Sequence, residues 1–340
     1  MLWSAYDGPG TYWEKARKYS LALIGTDSLG LRWQPNRFPA VAESFQPETL
    51  SPAMQTLTGF NHDRPTSQVI VETYYFEANQ GDYPDDSPWW TRDKNGKRIT
   101  FWEGCYDMNV DDPSYRAHIA RRIDATDQAG GPGLTGVYLD NLRFEPAAKR
   151  GWIQLMQMLR KARADRFIMA NAGWDSTDLE WIAPYLNGIM YEDSVDHTKD
   201  GDQEAFYKRV QKYDALLRGS KRSIVEVFGK RNDSDKAWRE LIRTLVYTND
   251  CFLYSDSTYG HRHSWRPEWD PKLGLAIDPP QTPCGKLVSR RFQHGLIFWN
   301  PTNAAKSAPL TAPMVDARTG ESRSTVDLPP KTGVYLISAS

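Results

Sequence analysis

The sequence predicts an α/β chain: a (β/α)8 barrel over residues 1–283, followed by a small antiparallel β domain over 284–340. Three observations carry this expectation. Eight short apolar runs lie between residues 20 and 260, amphipathic helical patterns separate them, and the helical pattern stops after 284. Strands alternating with helices imply right-handed βαβ units and a parallel sheet. Their count and span suit a closed barrel, with an open doubly wound sheet as the alternative.

The runs are SLALIGTD (20–27), VIVETYYFE (69–77), ITFWEGCYDMN (99–109), TGVYLDN (135–141), RFIMANAGW (166–174), NGIMYEDS (187–194), RSIVEVFGK (222–230) and CFLYSDST (251–258). Pro146 suits the first turn of a helix whose Trp152, Leu155, Met156 and Leu159 share one face. Asp233 or Ser234 can cap a second helix, with Trp238, Leu241, Ile242 and Leu245 as its buried stripe. Further helices are expected near 113–129, 177–186 and 203–218, and GGPG at 130–133 is a turn. The segments 28–68 and 81–99 are Pro-rich and irregular, and they are expected as functional loops on the C-terminal face of the barrel. Beyond 284, strand runs separated by NPT, TG and LPPKTG turn signals give the small β domain.

Composition narrows the function. The 340 residues are 40% hydrophobic and 25% charged with a net charge of -1, so there is no basic footprint for nucleic acid. No apolar stretch approaches the length of a membrane span, and no export signal is visible at the N-terminus, which leaves localisation open. Cys105, Cys251 and Cys284 are odd in number and widely spaced, and they are expected to be reduced and buried. No GxSxG elbow, dinucleotide loop or phosphate loop occurs, so no cofactor is expected. His261 and His263, near Asp256, are the one alternative that suggests a metal, but no HExxH pattern or nearby cysteine supports it, and no metal is expected. The 13 Trp and 17 Tyr suit either core packing or a sugar-stacking cleft.

Strand parity places the acids. In GVYLDN, Val137 and Leu139 form the outward apolar set, so Tyr138 and Asp140 face the barrel axis. The same parity turns Met190 and Glu192, Glu226, and Tyr254 with Asp256 inward, and Asn171 takes the corresponding place in its run. The acids therefore ring the face where barrel enzymes keep their chemistry.

Two carboxylates flanking a polar substrate, with aromatic platforms nearby, are the minimal machinery of glycoside hydrolysis. Strands two apart on the ring are separated by roughly 9 Å, which facing side chains shorten to roughly 5–9 Å. Asp140 and Glu192, on the fourth and sixth runs, meet that requirement. Glu226 is the second choice for the acid/base or an orienting residue, and Asp193 replaces Glu192 if the parity slips by one. Asp27, Glu72, Asp107, Asn171 and Asp256 are candidates for substrate contact. Trp89 and Trp90 lead the stacking candidates, with Trp33, Trp102 and Trp174 beside them. The rival reading is a non-catalytic carbohydrate-binding or structural protein on the same scaffold, its acids locked in ion pairs with Arg143 or Arg262.

GVYLDN, the YED of the sixth run, the PWW..D.NGK loop followed by Asp107 and DPSYR, and the tail HGLIFWNPT, DARTGE and LPPKTGVYLI together resemble the hypothetical glycosyl hydrolase-like family 15. They look more distantly like glycoside hydrolase family 114, in the α-galactosidase-type barrel superfamily. The resemblance covers most of the chain and implies Asp140 as nucleophile and Glu192 as general acid/base. The wider superfamily acts mostly on α-linked sugars, so an α-linked poly- or oligosaccharide is the expected partner; Asp140 as nucleophile gives net retention, with inversion as the alternative.

Overall fold

In the computed structural model, residues 2–3, 12–35, 41–173, 176–192, 203–257, 265–266, 269 and 273–338 are described. The chain divides into two units, Met1–Tyr191 with Leu216–Lys221, and Glu192–Ala215 with Arg222–Ser340.

The first unit begins with β1 (Leu2–Trp3), α1 (Tyr12–Ala16), β2 (Leu21–Ile24), α2 (Pro47–Asp63) and β3 (Gln68–Thr73). A small antiparallel sheet follows, formed by β4 (Glu77–Asn79), β5 (Thr100–Trp102) and β6 (Cys105–Asp107), with β6 in the middle. Then come α3 (Pro113–Gly130), β7 (Gly136–Leu139), α4 (Pro146–Ala162), β8 (Phe167–Asn171) and β9 (Gly188–Glu192). Strands β1, β2, β3, β7, β8 and β9 pair in parallel in that order. Every residue of β2, β7 and β8 is buried, as continuous apolar strands covered on both faces must be.

Local chemistry explains the helix starts. Pro113 and Pro146 occupy first turns, where a missing N–H costs nothing, and the Asp112 carboxylate accepts from the Ser114 and Tyr115 amides at 2.7 and 3.1 Å. The expected stripe of α4 is buried, and Trp152 meets Tyr75 edge-on at 4.7 Å. Arg166, 1% exposed, joins the start of β8 to Asp124 and Asp127 of α3 at 2.6 and 2.7 Å. Gly136 opens β7 because a Cβ there would lie 1.9 Å from the Phe167 carbonyl oxygen.

In the second unit, α5 (Gln203–Leu216) precedes β10 (Ile224–Gly229), α6 (Ser234–Tyr247) and β11 (Cys251–Asp256), and β10 and β11 pair in parallel as a βαβ unit. Asp233 caps α6 by accepting from the Lys236 amide at 2.9 Å. A five-stranded antiparallel sheet completes the unit: β12 (Val288–Phe292), β13 (Gly295–Asn300), β14 (Lys306–Asp316), β15 (Ser322–Leu328) and β16 (Thr332–Ser338), in the order 12-13-16-14-15. Phe298, Val326, Leu328, Val334 and Leu336 form its core, and Trp238 of α6 stacks on Tyr335 at 6.2 Å. The fold is the (β/α)8 type with a small C-terminal antiparallel sheet, as the sequence pattern predicts.

Several elements differ from expectation. The run 99–109 is not a barrel strand; Gly104, at φ 77, folds it into the β5–β6 hairpin of the small sheet. The two-residue β1 supplies the remaining parallel strand, so the ordinal positions of the later strands are unchanged. The run 69–77 also divides, into β3 and the start of β4. Segment 28–68 contains α2, whose Ala53, Leu57 and Phe60 are buried at helical spacing. The helix expected over 177–186 reduces to one 3-10 turn at Ala183–Tyr185, because Asp178 sits at φ 54 and Pro184 offers no N–H. On α6, Trp238, Ile242 and Val246 are buried, whereas Leu241 and Leu245 are only half-buried. The three cysteines are free, yet only Cys105 is buried and Cys284 is exposed.

Gly136→Ala is expected to lower unfolding stability by about 2 kcal/mol or more, because the added methyl forces β7 and β8 apart. Denaturant midpoints of the variant and wild type measure this.

Candidate active site

Asp140 follows the last residue of β7, and the register that pairs Leu139 with Ala170 carries it alongside Asn171 at the end of β8. Among the described residues, Asn171 Nδ2 at 2.9 Å and Tyr138 Oη at 3.1 Å donate to Oδ1 of its carboxylate, and Asn141 Nδ2 at 3.2 Å donates to Oδ2. An ionised carboxylate is an acceptor only, so these donors orient it without needing its proton. Asn141 is at φ 57, a conformation asparagine tolerates better than most residues, and it turns the chain sharply away after Asp140. Asn171, 1% exposed, is itself held, accepting from the Gly173 amide at 2.8 Å. Tyr138, fully buried, also directs its hydroxyl to Met190 Sδ at 3.1 Å, so the parity that turned both residues inward is observed.

A second group of acids lies on the small sheet. Glu77 of β4 is opposite Asp107 of β6 in the antiparallel register. Arg143, three residues past Asp140, lies 3.7 Å from Asp107 and places its guanidinium over Phe76 and Phe101, at 4.3 and 4.0 Å from the ring centroids. Glu77 is 7% exposed, and no donor among the described residues reaches its buried Oε2. Burial, reinforced by the negative charges of Asp140 and Asp107 and opposed by Arg143, pushes the Glu77 carboxyl up to about 7. Burial also raises Asp107, against the pull of Arg143. Sequence reasoning missed Glu77 because it assigned the residue to the end of a barrel strand. The Phe76-Glu77 pair, an apolar residue followed by an acid beside a turn, was the available signal.

In the second unit, Glu226 of β10 is fully buried and accepts from Ser255 Oγ of β11 at 2.5 Å. Asp256 ends β11 at 5% exposure, and Glu192, the last residue of β9, is half-buried. Glu72 is half-buried on β3, in register with Tyr138, and Asp27 is exposed on the 3-10 turn after β2. Asp193, Trp174, His261, Arg262 and His263 lie outside the described residues. Among the described residues, no group of three or more His, Cys, Asp and Glu is arranged to hold a metal ion.

The Trp89 and Trp90 rings are occupied by protein neighbours. Trp89 stacks on His118 at 4.9 Å and donates to Ser114 Oγ, while Trp90 is 3% exposed under the Arg98 guanidinium and donates to the Pro84 carbonyl. Trp33 likewise stacks on Phe45 at 3.8 Å with Arg122 over it. Trp102, by contrast, is 58% exposed.

Against known proteins, a family model described as hypothetical glycosyl hydrolase family 15 matches residues 52–296. No curated protein matches the sequence. The structure is similar to Amy13B of Eubacterium rectale (TM-score 0.60, 11% identity, covering 98% of this chain and 93% of that one). It is also similar to an α-amylase from Lactobacillus plantarum (0.57, 12%, 97% and 94%). A third neighbour is the cyclic α-maltosyl-(1→6)-maltose hydrolase of Arthrobacter globiformis in complex with that sugar (0.57, 12%, 95% and 87%). At these identities the likeness shows a shared fold.

The raised Glu77 carboxyl makes a pH prediction. Its folded-state value lies above the ordinary 4.5, so its favourable contribution is complete below about 4.5 and is lost as pH rises through about 7. Glu77→Gln removes this dependence, so its stability relative to wild type is expected to rise between about pH 5 and about pH 8, measured by urea denaturation at both values.

Proposed function

Starting from the fact that the chain belongs to hypothetical glycosyl hydrolase family 15 and is a glycoside hydrolase, we propose that it cleaves α-linked glucan chains with a pair of carboxylates. The observation that carries this reading is Asp140 at the end of β7, half-buried, with its carboxylate held by Tyr138, Asn141 and Asn171. A nucleophile in a barrel enzyme belongs at a strand's C-terminal end, oriented but not neutralised.

In the proposed reaction Asp140 attacks the anomeric carbon while Glu192 protonates the departing glycosidic oxygen, giving a covalent glycosyl-enzyme. Glu192 then takes a proton from water as that water displaces Asp140, and the configuration is retained. Glu226 orients the substrate or replaces Glu192 as acid/base. Asp27, Glu72, Asp107, Asp193, Asp256 and Trp174 belong to the wider substrate surface in this reading. Residues 1–283 are the catalytic barrel and 284–340 the accessory β domain. The preference for α-glucans draws on neighbours named as α-amylases and a maltosyl-maltose hydrolase. The more distant kinship to family 114 is part of this reading too.

The test is reducing-end release from α- and β-linked glucans. Asp140→Asn and Glu192→Gln are each expected to lower kcat by about 1,000-fold or more. A loss with Glu226→Gln but not Glu192→Gln moves the acid to β10, and no release from any glucan overturns the substrate. Asn171→Ala is expected to lower kcat/KM by about 10- to 100-fold with the fold intact, because Asp140 loses its closest donor.

A further inference from the structure

Exposed aromatic surface is concentrated in one part of the chain. Among the described residues the exposed aromatic rings are Tyr74 and Trp102, at 53% and 58%, and both belong to the stretch between β3 and α3 that contains the small sheet. Exposing an indole costs burial energy of roughly 2–3 kcal/mol, so an uncovered ring on an ordered strand invites a partner. Trp102 meets Phe101 edge-to-face at 4.7 Å between ring centroids, which holds the indole against its strand. Asp107 Oδ1 and Arg143 Nη2 lie 3.7 Å apart, their side chains 15% and 26% exposed, and the Arg143 guanidinium sits 4.0 Å over Phe101, the ring beside Trp102.

A carboxylate accepts from one hydroxyl while a guanidinium beside it donates to the next, which is what vicinal sugar hydroxyls require, and an indole face matches the apolar face of a pyranose. We propose that the β4-β6-β5 sheet is a pyranose-binding subsite of the Asp140 centre, with Trp102 as stacking platform and Asp107 and Arg143 as hydroxyl-binding groups. The ligand class is a neutral glucan chain longer than the two sugars flanking the cleaved bond. This inference rests on the α-glucan reading above and adds to it a place where that chain is gripped.

The experiment uses the full chain and maltoheptaose as the probe. Calorimetric Kd is measured in the Asp140→Asn background, and KM and kcat in the otherwise wild-type enzyme. Trp102→Ala is expected to raise Kd and KM roughly tenfold or more while kcat changes by less than about twofold, and Trp102→Phe is expected to recover part of the loss. Asp107→Asn is expected to raise KM. Should maltoheptaose be hydrolysed and bound equally well by Trp102→Ala, the subsite is wrong and the hydrolase reading stands. If wild type neither binds nor cleaves maltoheptaose, the glucan reading falls and takes the subsite with it.

Discussion

The close approach of β7 to β8 is the constraint on which the site depends. Gly136 has no Cβ to strike the Phe167 carbonyl, so the two backbones pair from their first residues. A parallel pair has one side-chain period, and a slip of one residue would exchange the faces of the whole strand. With Gly136 opposite Phe167, Tyr138 lies opposite Met169 and Asp140 arrives beside Asn171. The carboxylate's environment is therefore decided four residues before the carboxylate appears, by the absence of a methyl group.

The electrostatics follow from where each acid sits relative to its donors. Among the described residues Asp140 accepts from the neutral Tyr138, Asn141 and Asn171 side chains and is half-buried. Glu77 has burial, two acidic neighbours and one cation at a distance, and its carboxyl consequently holds its proton up to about neutral pH. Arg143 mediates between them: it follows the Asp140 turn in sequence but packs its guanidinium on Phe76 and Phe101 and faces Asp107. Burial thus raises the Glu77 and Asp107 carboxyls on the small sheet, while Asp140 sits among side-chain donors.

Much of this was legible in the chain. Buried strands such as FIMAN and GVYL, the start of α4 at Pro146 and of the capped α6, and the inward set of Tyr138, Asp140, Asn171 and Met190 all follow from periodicity, because burial on both faces leaves few alternatives. What escaped was set by long-range geometry. ITFWEGCYDMN reads as a barrel strand by composition, and only the φ 77 turn at Gly104 and its antiparallel partner on β4 make it a hairpin. A two-residue strand such as β1 has too few residues for any period. Trp89 and Trp90 lie in an acidic, Pro-rich loop that looks exposed in sequence, but His118 of α3 and the Arg98 guanidinium cover their rings.

The small sheet has its own ladder, its own turn at Gly104 and its own apolar contacts, and it enters and leaves the first unit between β3 and α3. None of its strands contributes to the parallel register that sets Asp140. Mutational drift within residues 77–107 can accordingly proceed on a different evolutionary clock from drift in β7 and β8. A lineage of such proteins is free to diversify what it grips while the strand pair around Gly136 and Asn171 stays under purifying constraint.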